Sequence, residues 1–188
     1  MKPNSVLKVL RETEALLSGH FELRSGLHSD RYFQCANVLR YPRKAGRLCR
    51  ALAESVIAVG IQADTVIAPA MGGILVGHEV ARALDVRSIF AEKQDNKLVL
   101  RRFTIKPGER FIVAEDVITR GGRVQETIDL VRQQGGVVVA VLVLVDRSDG
   151  KVKFDCPTFS LLQLAPVVYE PAACPMCAKK EPFVHPGS

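Results

Sequence analysis

Two adjacent acids, Glu115 and Asp116, close an apolar run in the segment FIVAEDVITRGGR, and Thr119, Gly121 and Gly122 follow before a helical pattern begins. Glycines tolerate positive φ and allow close backbone approach, so successive N–H groups at a helix start can converge on an anion. A phosphate is the natural occupant. Thr119 adds a hydroxyl donor, and Arg120 and Arg123 add positive charge. The carboxylates would repel that phosphate; they suit neutral hydroxyls, or a Mg²⁺ shared with a polyphosphate. Turn and acids together point to a phosphorylated sugar, with its phosphate in the turn and its diol on the acids. The plainer alternative is an ordinary strand-to-helix turn with a surface acid pair. Two other phosphate motifs are absent: there is no GxxxxGKS/T, and Gly72-Gly73-Ile74-Leu75-Val76-Gly77 misses the GxGxxG spacing. P-loop hydrolysis and dinucleotide redox chemistry both recede.

The elements that position these residues alternate along the chain. Ser5 is expected to cap a helix with Val6, Leu10, Leu16 and Leu17 near one face. HFELR and DRYFQ flank Ser25-Gly26 as a hairpin, and a second helix should run from near Pro42 to Gly60. DTVIAPA, VRSIFAE, RFIVAED, VVVAVLVLVDR and TFSLLQL read as strands, with helices in GGILVGHEVARAL and GGRVQETIDLVRQQGG. Lys93 to Pro107 is charged and loop-like. Near-continuous Val/Ile/Leu strands alternating with helices predict an α/β fold, a mainly parallel central sheet flanked by helices. Ligands of such sheets bind beyond the carboxyl ends of the strands. Those ends are Pro69 to Gly73, Ala91 to Lys93, Glu115 to Arg123, and Asp146-Arg147.

Composition bounds the classes. The 188 residues, 47% hydrophobic and 24% charged, suit one globular domain with an appended edge. Lys+Arg minus Asp+Glu is 26 − 20 = +6, which favours an anionic partner. With no Trp and 6% aromatics, stacking platforms for nucleic acid are poorly supplied. Charges at Lys8, Arg11, Glu12 and Glu14 interrupt any signal-peptide core, and the longest apolar run, Val137 to Val145, is half a membrane span. A soluble, cytoplasmic protein with five reduced cysteines, no membrane association and no nucleic-acid partner is expected.

VAEDVITRGG resembles the phosphoribosyl-pyrophosphate (PRPP) signature of the type I phosphoribosyltransferases. LRSGLHSDRYF, APAMGGILVGHEVARAL, IFAEK…LRRFTIKPGERFIVAED, VDRS and YEP…CPMC are similar to segments of the orotate phosphoribosyltransferase family, and the likeness spans essentially the whole chain. It implies the type I fold as a single domain over 1–188: an N-terminal helix and hairpin hood (1–40), an α/β core (61–164) and a C-terminal extension (165–188). The implied reaction is orotate + PRPP → orotidine 5′-monophosphate + pyrophosphate with Mg²⁺, in pyrimidine biosynthesis.

The resemblance also implies residue roles. Glu115 and Asp116 would hold the ribose hydroxyls, and Val117, Ile118, Thr119, Arg120, Gly121, Gly122 and Arg123 would cradle the 5′-phosphate. Ala70, Gly72 and Gly73 would face the pyrophosphate, and Mg²⁺ would travel mainly on substrate oxygens. Arg147 would take the orotate carboxylate, with Thr119, Arg24, Tyr32 and Phe33 beside the base. Lys93, with Glu115 and Asp116, would act in catalysis. Lys93 to Arg102 would form a mobile lid shared between the subunits of a homodimer, its other cations being Lys97, Arg101 and Arg102. Departures from the family pattern are Met71-Gly72 where many relatives carry a Lys, a lid without His, and Arg120 and Arg123 flanking Gly121-Gly122.

Other constellations are weaker. Cys174-Pro175-Met176-Cys177 stands alone, with only Cys156 and His185 nearby in sequence to complete a zinc shell, so no protein metal site is assigned. His28 and His78 have no Ser or Cys partner at the strand ends. Arg40 to Arg50 is a basic helix face. Competing readings are a phosphoribosyltransferase for another base, and a PRPP-sensing regulator, which would want a helix-turn-helix that this chain lacks.

Overall fold

The computed structural model describes residues 1–23 and 25–186. Arg24, expected beside the base, lies outside the described residues.

The six-stranded sheet has the order β5-β4-β3-β6-β7-β8. Its strands are β3 (Thr65–Pro69), β4 (Arg87–Gln94), β5 (Lys97–Val99), β6 (Arg110–Ile118), β7 (Val137–Asp146) and β8 (Thr158–Gln163). All neighbouring pairs are parallel except β4–β5. This is the expected α/β architecture. The chain leaves β3 for β4 and β5 on one side, then returns to place β6 on the other. The crevice between the carboxyl ends of β3 and β6 is therefore the switch point at which open α/β sheets bind ligands.

β7 shows why the sheet is covered on both faces. Ala140, Leu142 and Leu144 pack with Leu48, Leu52, Val76 and Val80, from α3 (Pro42–Ile57) and α4 (Gly72–Leu84). Val141 and Val143 point the other way, to Val124, Ile128 and Val131 of α5 (Gly122–Gln133). Alternation at period two thus feeds two separate cores. A register shift against Phe111/Ile112 resets the alternation near Val138, which shares the face of Val141. No helix among the described residues is long and apolar enough to cross a membrane.

The hood differs from expectation at its first helix. α1 spans Pro3–Glu12, with Lys2 in the capping position and Pro3 in the first turn, so Ser5 lies inside the helix. Glu14 at φ 56° breaks the helical path, and Leu16 and Leu17 open β1 (Leu16–Glu22) instead of extending the helix stripe. β2 (His28–Phe33) pairs antiparallel with β1, as expected of the hairpin. A four-residue helix, α2 (Ala36–Leu39), precedes α3. The C-terminal segment is ordered onto this hood: β9 (Val168–Tyr169) adds to β2, and α6 (Pro175–Ala178) follows.

The segment read as a loop from Lys93 is partly a hairpin. β4 continues through Gln94 and turns back into β5 through Asp95 and Asn96, both at positive φ, residue types that tolerate that region. Phe103 then stacks edge-on against Phe90 at 5.2 Å. The charges of this stretch had hidden its alternation.

At the opposite, amino-terminal edge of the sheet, buried Glu109 accepts bonds from the Thr65 hydroxyl at 2.6 Å, Arg87 at 3.0 Å and the Lys106 N–H at 3.0 Å. Burial raises its carboxyl, but the Lys106 N–H, the Thr65 hydroxyl and the Arg87 charge outweigh burial and hold it below the ordinary carboxylate value. Its contribution is therefore present above the unfolded carboxylate pKa and lost as pH falls through the folded value. Glu109→Ala strands these donors and should cost about 2 kcal/mol, roughly 4–8 °C in unfolding midpoint near neutral pH. Thermal unfolding followed by circular dichroism checks this, and the deficit should shrink as the native chain is acidified.

Candidate active site

The sheet's switch point opens into a cleft of about 820 Å³ lined by Pro69 to Gly72 and Glu115 to Val124. Two turns build it. After β3 the chain runs through Ala70 and Met71 directly into α4. Gly73 has no room for a side chain: a Cβ there would lie 2.9 Å from Glu115 Oε1 and 3.1 Å from the Ala114 carbonyl. Its bare backbone is what lets the carboxylate sit against the start of α4. After β6, Gly121 takes φ 75° as the residue before α5, where a Cβ would also strike Val152 at 2.5 Å. Only glycine satisfies both demands. The result is a turn, Thr119 to Arg123, that opens at a helix N-terminus, with Thr119, Arg120, Gly122 and Arg123 exposed to the cleft mouth. Unpaired N–H groups and positive charge make that turn an anion seat.

The acids lie deeper. Glu115 is buried and Asp116 half-buried, at the point where β6 leaves the sheet's protection. Burial pushes the Glu115 carboxyl up, and the neighbouring Asp116 charge pushes it further. Asp116 is raised too, chiefly by burial. The Asp116 N–H donates to Glu115 Oε1 at 3.0 Å, but no cation is paired with either acid among the described residues. Burial and a like charge at short range both oppose full ionisation of the pair. Hydroxyl donors from a diol are what would complete it.

Arg147 occupies the next strand end. Its N–H bonds the Ile118 carbonyl at 2.8 Å, and its guanidinium lies 5.7 Å from the centre of the Phe33 ring. Nε of Arg147 is buried without a hydrogen-bond partner. Burial pulls its pKa below the ordinary guanidinium value. Arg147 forms no ion pair with Asp146 or Asp149 among the described residues; Asp146 is engaged by the Ser148 N–H and hydroxyl at 2.8 and 2.6 Å and by the Gly150 N–H at 3.1 Å. A half-buried guanidinium with an open, buried Nε offers a donor geometry that suits a planar anion.

The structure thus gathers Ala70, Gly72 and Glu115 to Arg123 in one cleft, with Gly73 directly behind the acids. Ile118 contributes backbone only, its side chain being buried in the core. Arg147 and Phe33 stand adjacent, between the hood and β7. Phe33 is itself buried and supports the guanidinium, while Tyr32 faces Phe21 at 5.9 Å on the strand's other side. Lys93 is exposed on β4, opposite Leu98 and outside the cleft wall.

Two residues that sequence reasoning passed over connect these parts. The Cys35 thiol donates to the Asp116 carbonyl at 3.8 Å, and burial first, then the Asp116 charge, drives its pKa well up, so it stays neutral. Glu126 accepts the Leu98 N–H at 2.6 Å and Arg123 at 3.1 Å. One carboxylate therefore ties the β4–β5 hairpin to the phosphate turn. Neither residue carried a local signal, since both contacts are long-range in sequence or depend on a hairpin that charge concealed.

With this geometry the relatives agree. The family profile described as "Phosphoribosyl transferase domain" matches residues 38–174, and the chain belongs to that phosphoribosyltransferase family. More particularly, the orotate phosphoribosyltransferase of Desulforamulus reducens is 50% identical over 189 residues, covering 100% of this chain and 98% of that protein. The solved orotate phosphoribosyltransferase of Aeropyrum pernix matches with a TM-score of 0.68 at 25% identity, over 85% of this chain and 93% of its own. The adenine phosphoribosyltransferase of Thermoanaerobacter pseudethanolicus matches with a TM-score of 0.68 at 20% identity, over 82% and 99%. The same fold is thus found in proteins named for different bases.

Because the Glu115 carboxyl titrates higher folded than unfolded, its stabilising contribution holds below the unfolded pKa of about 4.3 and is lost as pH rises through the folded value. Glu115→Gln removes that penalty. At pH 8 the ligand-free variant should unfold about 2–6 °C above the native chain, with the gap closing toward pH 5. Scanning fluorimetry across this range is the check, and equal midpoints at pH 8 would contradict the charge repulsion described above.

Proposed function

We infer that the chain transfers the 5-phosphoribosyl group of PRPP to orotate, releasing pyrophosphate and forming orotidine 5′-monophosphate. The observation that carries the choice of base is Arg147, half-buried against Phe33 with an open Nε beside a cleft that suits a ribose phosphate. The 5′-phosphate takes the Thr119–Arg123 turn, and the 2- and 3-hydroxyls donate to Glu115 and Asp116. Hydroxyl donors favour the ionised acids, and the resulting negative charge lies next to the anomeric carbon as its bond to pyrophosphate breaks and cationic character builds there. Arg147 fixes the orotate carboxylate so that the ring nitrogen faces that carbon. Catalysis then rests on placement and charge, with no covalent enzyme intermediate.

Glu115 and Asp116 offer hard oxygen donors that fit Mg²⁺, yet two carboxylates fall short of a closed octahedral shell. Magnesium, held chiefly by PRPP oxygens and water, would neutralise charge on the pyrophosphate. Lys93 and the β4–β5 hairpin lie on the same side of the sheet's carboxyl edge and would close over that pyrophosphate, in a cytoplasmic homodimer that shares the lid between subunits.

Incubation with PRPP, Mg²⁺ and orotate should deplete orotate absorbance, and release of pyrophosphate with adenine or hypoxanthine but not orotate would overturn the assignment. Arg147→Lys keeps the charge but loses the fork. Its kcat/KM for orotate should fall by about 10²-fold while PRPP binding persists. Loss of PRPP binding in that variant would remove Arg147 from the base side.

A further inference from the structure

The hood holds a cluster that phosphoribosyl transfer does not use. His20 on β1, His28 on β2, and Cys174 and Cys177 flanking the start of α6 bring one ligand atom each to within 4.8 Å of one another. The sequence had offered Cys156 and His185 as companions to the cysteine pair. Instead Cys156 packs against the α5-side core, and His185 turns outward to Glu22 at 3.4 Å. The partners come from the hairpin, over a hundred residues away.

The geometry is that of a coordination shell lacking its centre. Cys174 Sγ and Cys177 Sγ lie 3.5 and 3.6 Å from His20 Nε2, and Cys177 Sγ lies 3.2 Å from His28 Nδ1. A tetrahedral zinc with Zn–S of about 2.3 Å and Zn–N of about 2.05 Å has N–S edges of about 3.5 Å. The two imidazole nitrogens, 2.7 Å apart, would part by about 0.6 Å to reach the N–N edge of such a site.

The proton on His20 is placed by its other nitrogen. Nδ1 lies 2.8 Å from the Glu181 carbonyl, which can only accept, so Nδ1 carries the hydrogen and Nε2 turns its lone pair into the cluster. A ring N–H fixed by a backbone carbonyl is the usual support of a metal-bound histidine. His20, His28 and Cys174 are buried, and the Phe183 ring packs against both imidazoles at 5.5 and 5.1 Å. Soft thiolates with imidazoles in a four-ligand arrangement, three of them buried, suit zinc and leave no ligand position for a reacting water.

We propose that His20, His28, Cys174 and Cys177 form a structural zinc site that clasps the C-terminal segment to the hood hairpin. The clasp works with β9 on β2 and with the Val184 N–H on the His20 carbonyl at 3.0 Å. It fixes the hairpin whose far end carries Phe33. The proposal stands on this cluster alone and is independent of which base the enzyme uses.

The test is metal content of the full chain, purified without a histidine tag or chelator and measured by inductively coupled plasma mass spectrometry. About one zinc per chain is expected. Cys174→Ser and Cys177→Ser should each lose it, while Cys156→Ser and His185→Ala should keep it. Should the cysteine variants prove insoluble, the native chain still decides: cobalt(II) exchanged into it should give the visible bands of a tetrahedral site with thiolate charge-transfer absorption. The proposal is overturned by less than about 0.1 zinc per chain after dialysis against zinc, by an octahedral cobalt spectrum, or by a Cys174–Cys177 disulfide in protein prepared without reductant.

Discussion

Two neighbouring carboxylates lining one cleft are the constraint around which this molecule is arranged. Glu115 and Asp116 stand at the end of the strand with parallel neighbours on either side, and among the described residues no cation forms an ion pair with them. The glycine behind them exists to make room, as the 2.9 Å approach to Gly73 requires. The turn beyond them collects the opposite charge. Under the proposed function, a ligand's hydroxyls on the acids and its anion in the turn would relieve the repulsion between the acids.

The remaining structure divides the work between the two ends of the sheet. Glu109 gathers Thr65, Arg87 and Lys106 at the amino-terminal edge, where charge is fully partnered. The carboxyl edge leaves charge open: among the described residues no ion pair engages Glu115 or Asp116, and the Arg147 Nε has no partner. The hood closes the system from above, with Phe33 under the guanidinium and Cys35 on the Asp116 carbonyl. Glu126 couples the β4–β5 hairpin to the same turn, so the candidate lid and the phosphate seat share one carboxylate.

Much of this was legible in the order of residues because parallel α/β folds place function at strand ends. Apolar runs marked β3, β6 and β7, and the residues following each run, Pro69 to Gly73, Glu115 to Arg123 and Arg147, are those that the structure sets around the switch point. What stayed hidden had a physical cause in each instance. Leu16 and Leu17 kept a helical phase but fell beyond a left-handed Glu14. The β4–β5 hairpin was masked by exposed lysines and acids that read as a loop. The histidine–cysteine cluster depends on a contact spanning 154 residues, and only the docking of the tail on the hairpin creates it. Tyr32 and Phe33 were legible as an aromatic pair on a predicted strand, whose alternation already sends neighbours to opposite faces.

The central claim, that burial and then mutual charge oppose ionisation of the acids until a diol relieves them, is tested most directly by the protons released on PRPP binding. Calorimetric titration at pH 8, in buffers of different ionisation enthalpy, reads that release, since the phosphates are already ionised there. A buffer-dependent heat equivalent to a substantial fraction of one proton leaving the protein, abolished in Glu115→Gln, is the result predicted. A heat independent of buffer, or an equal release from the variant, would contradict it.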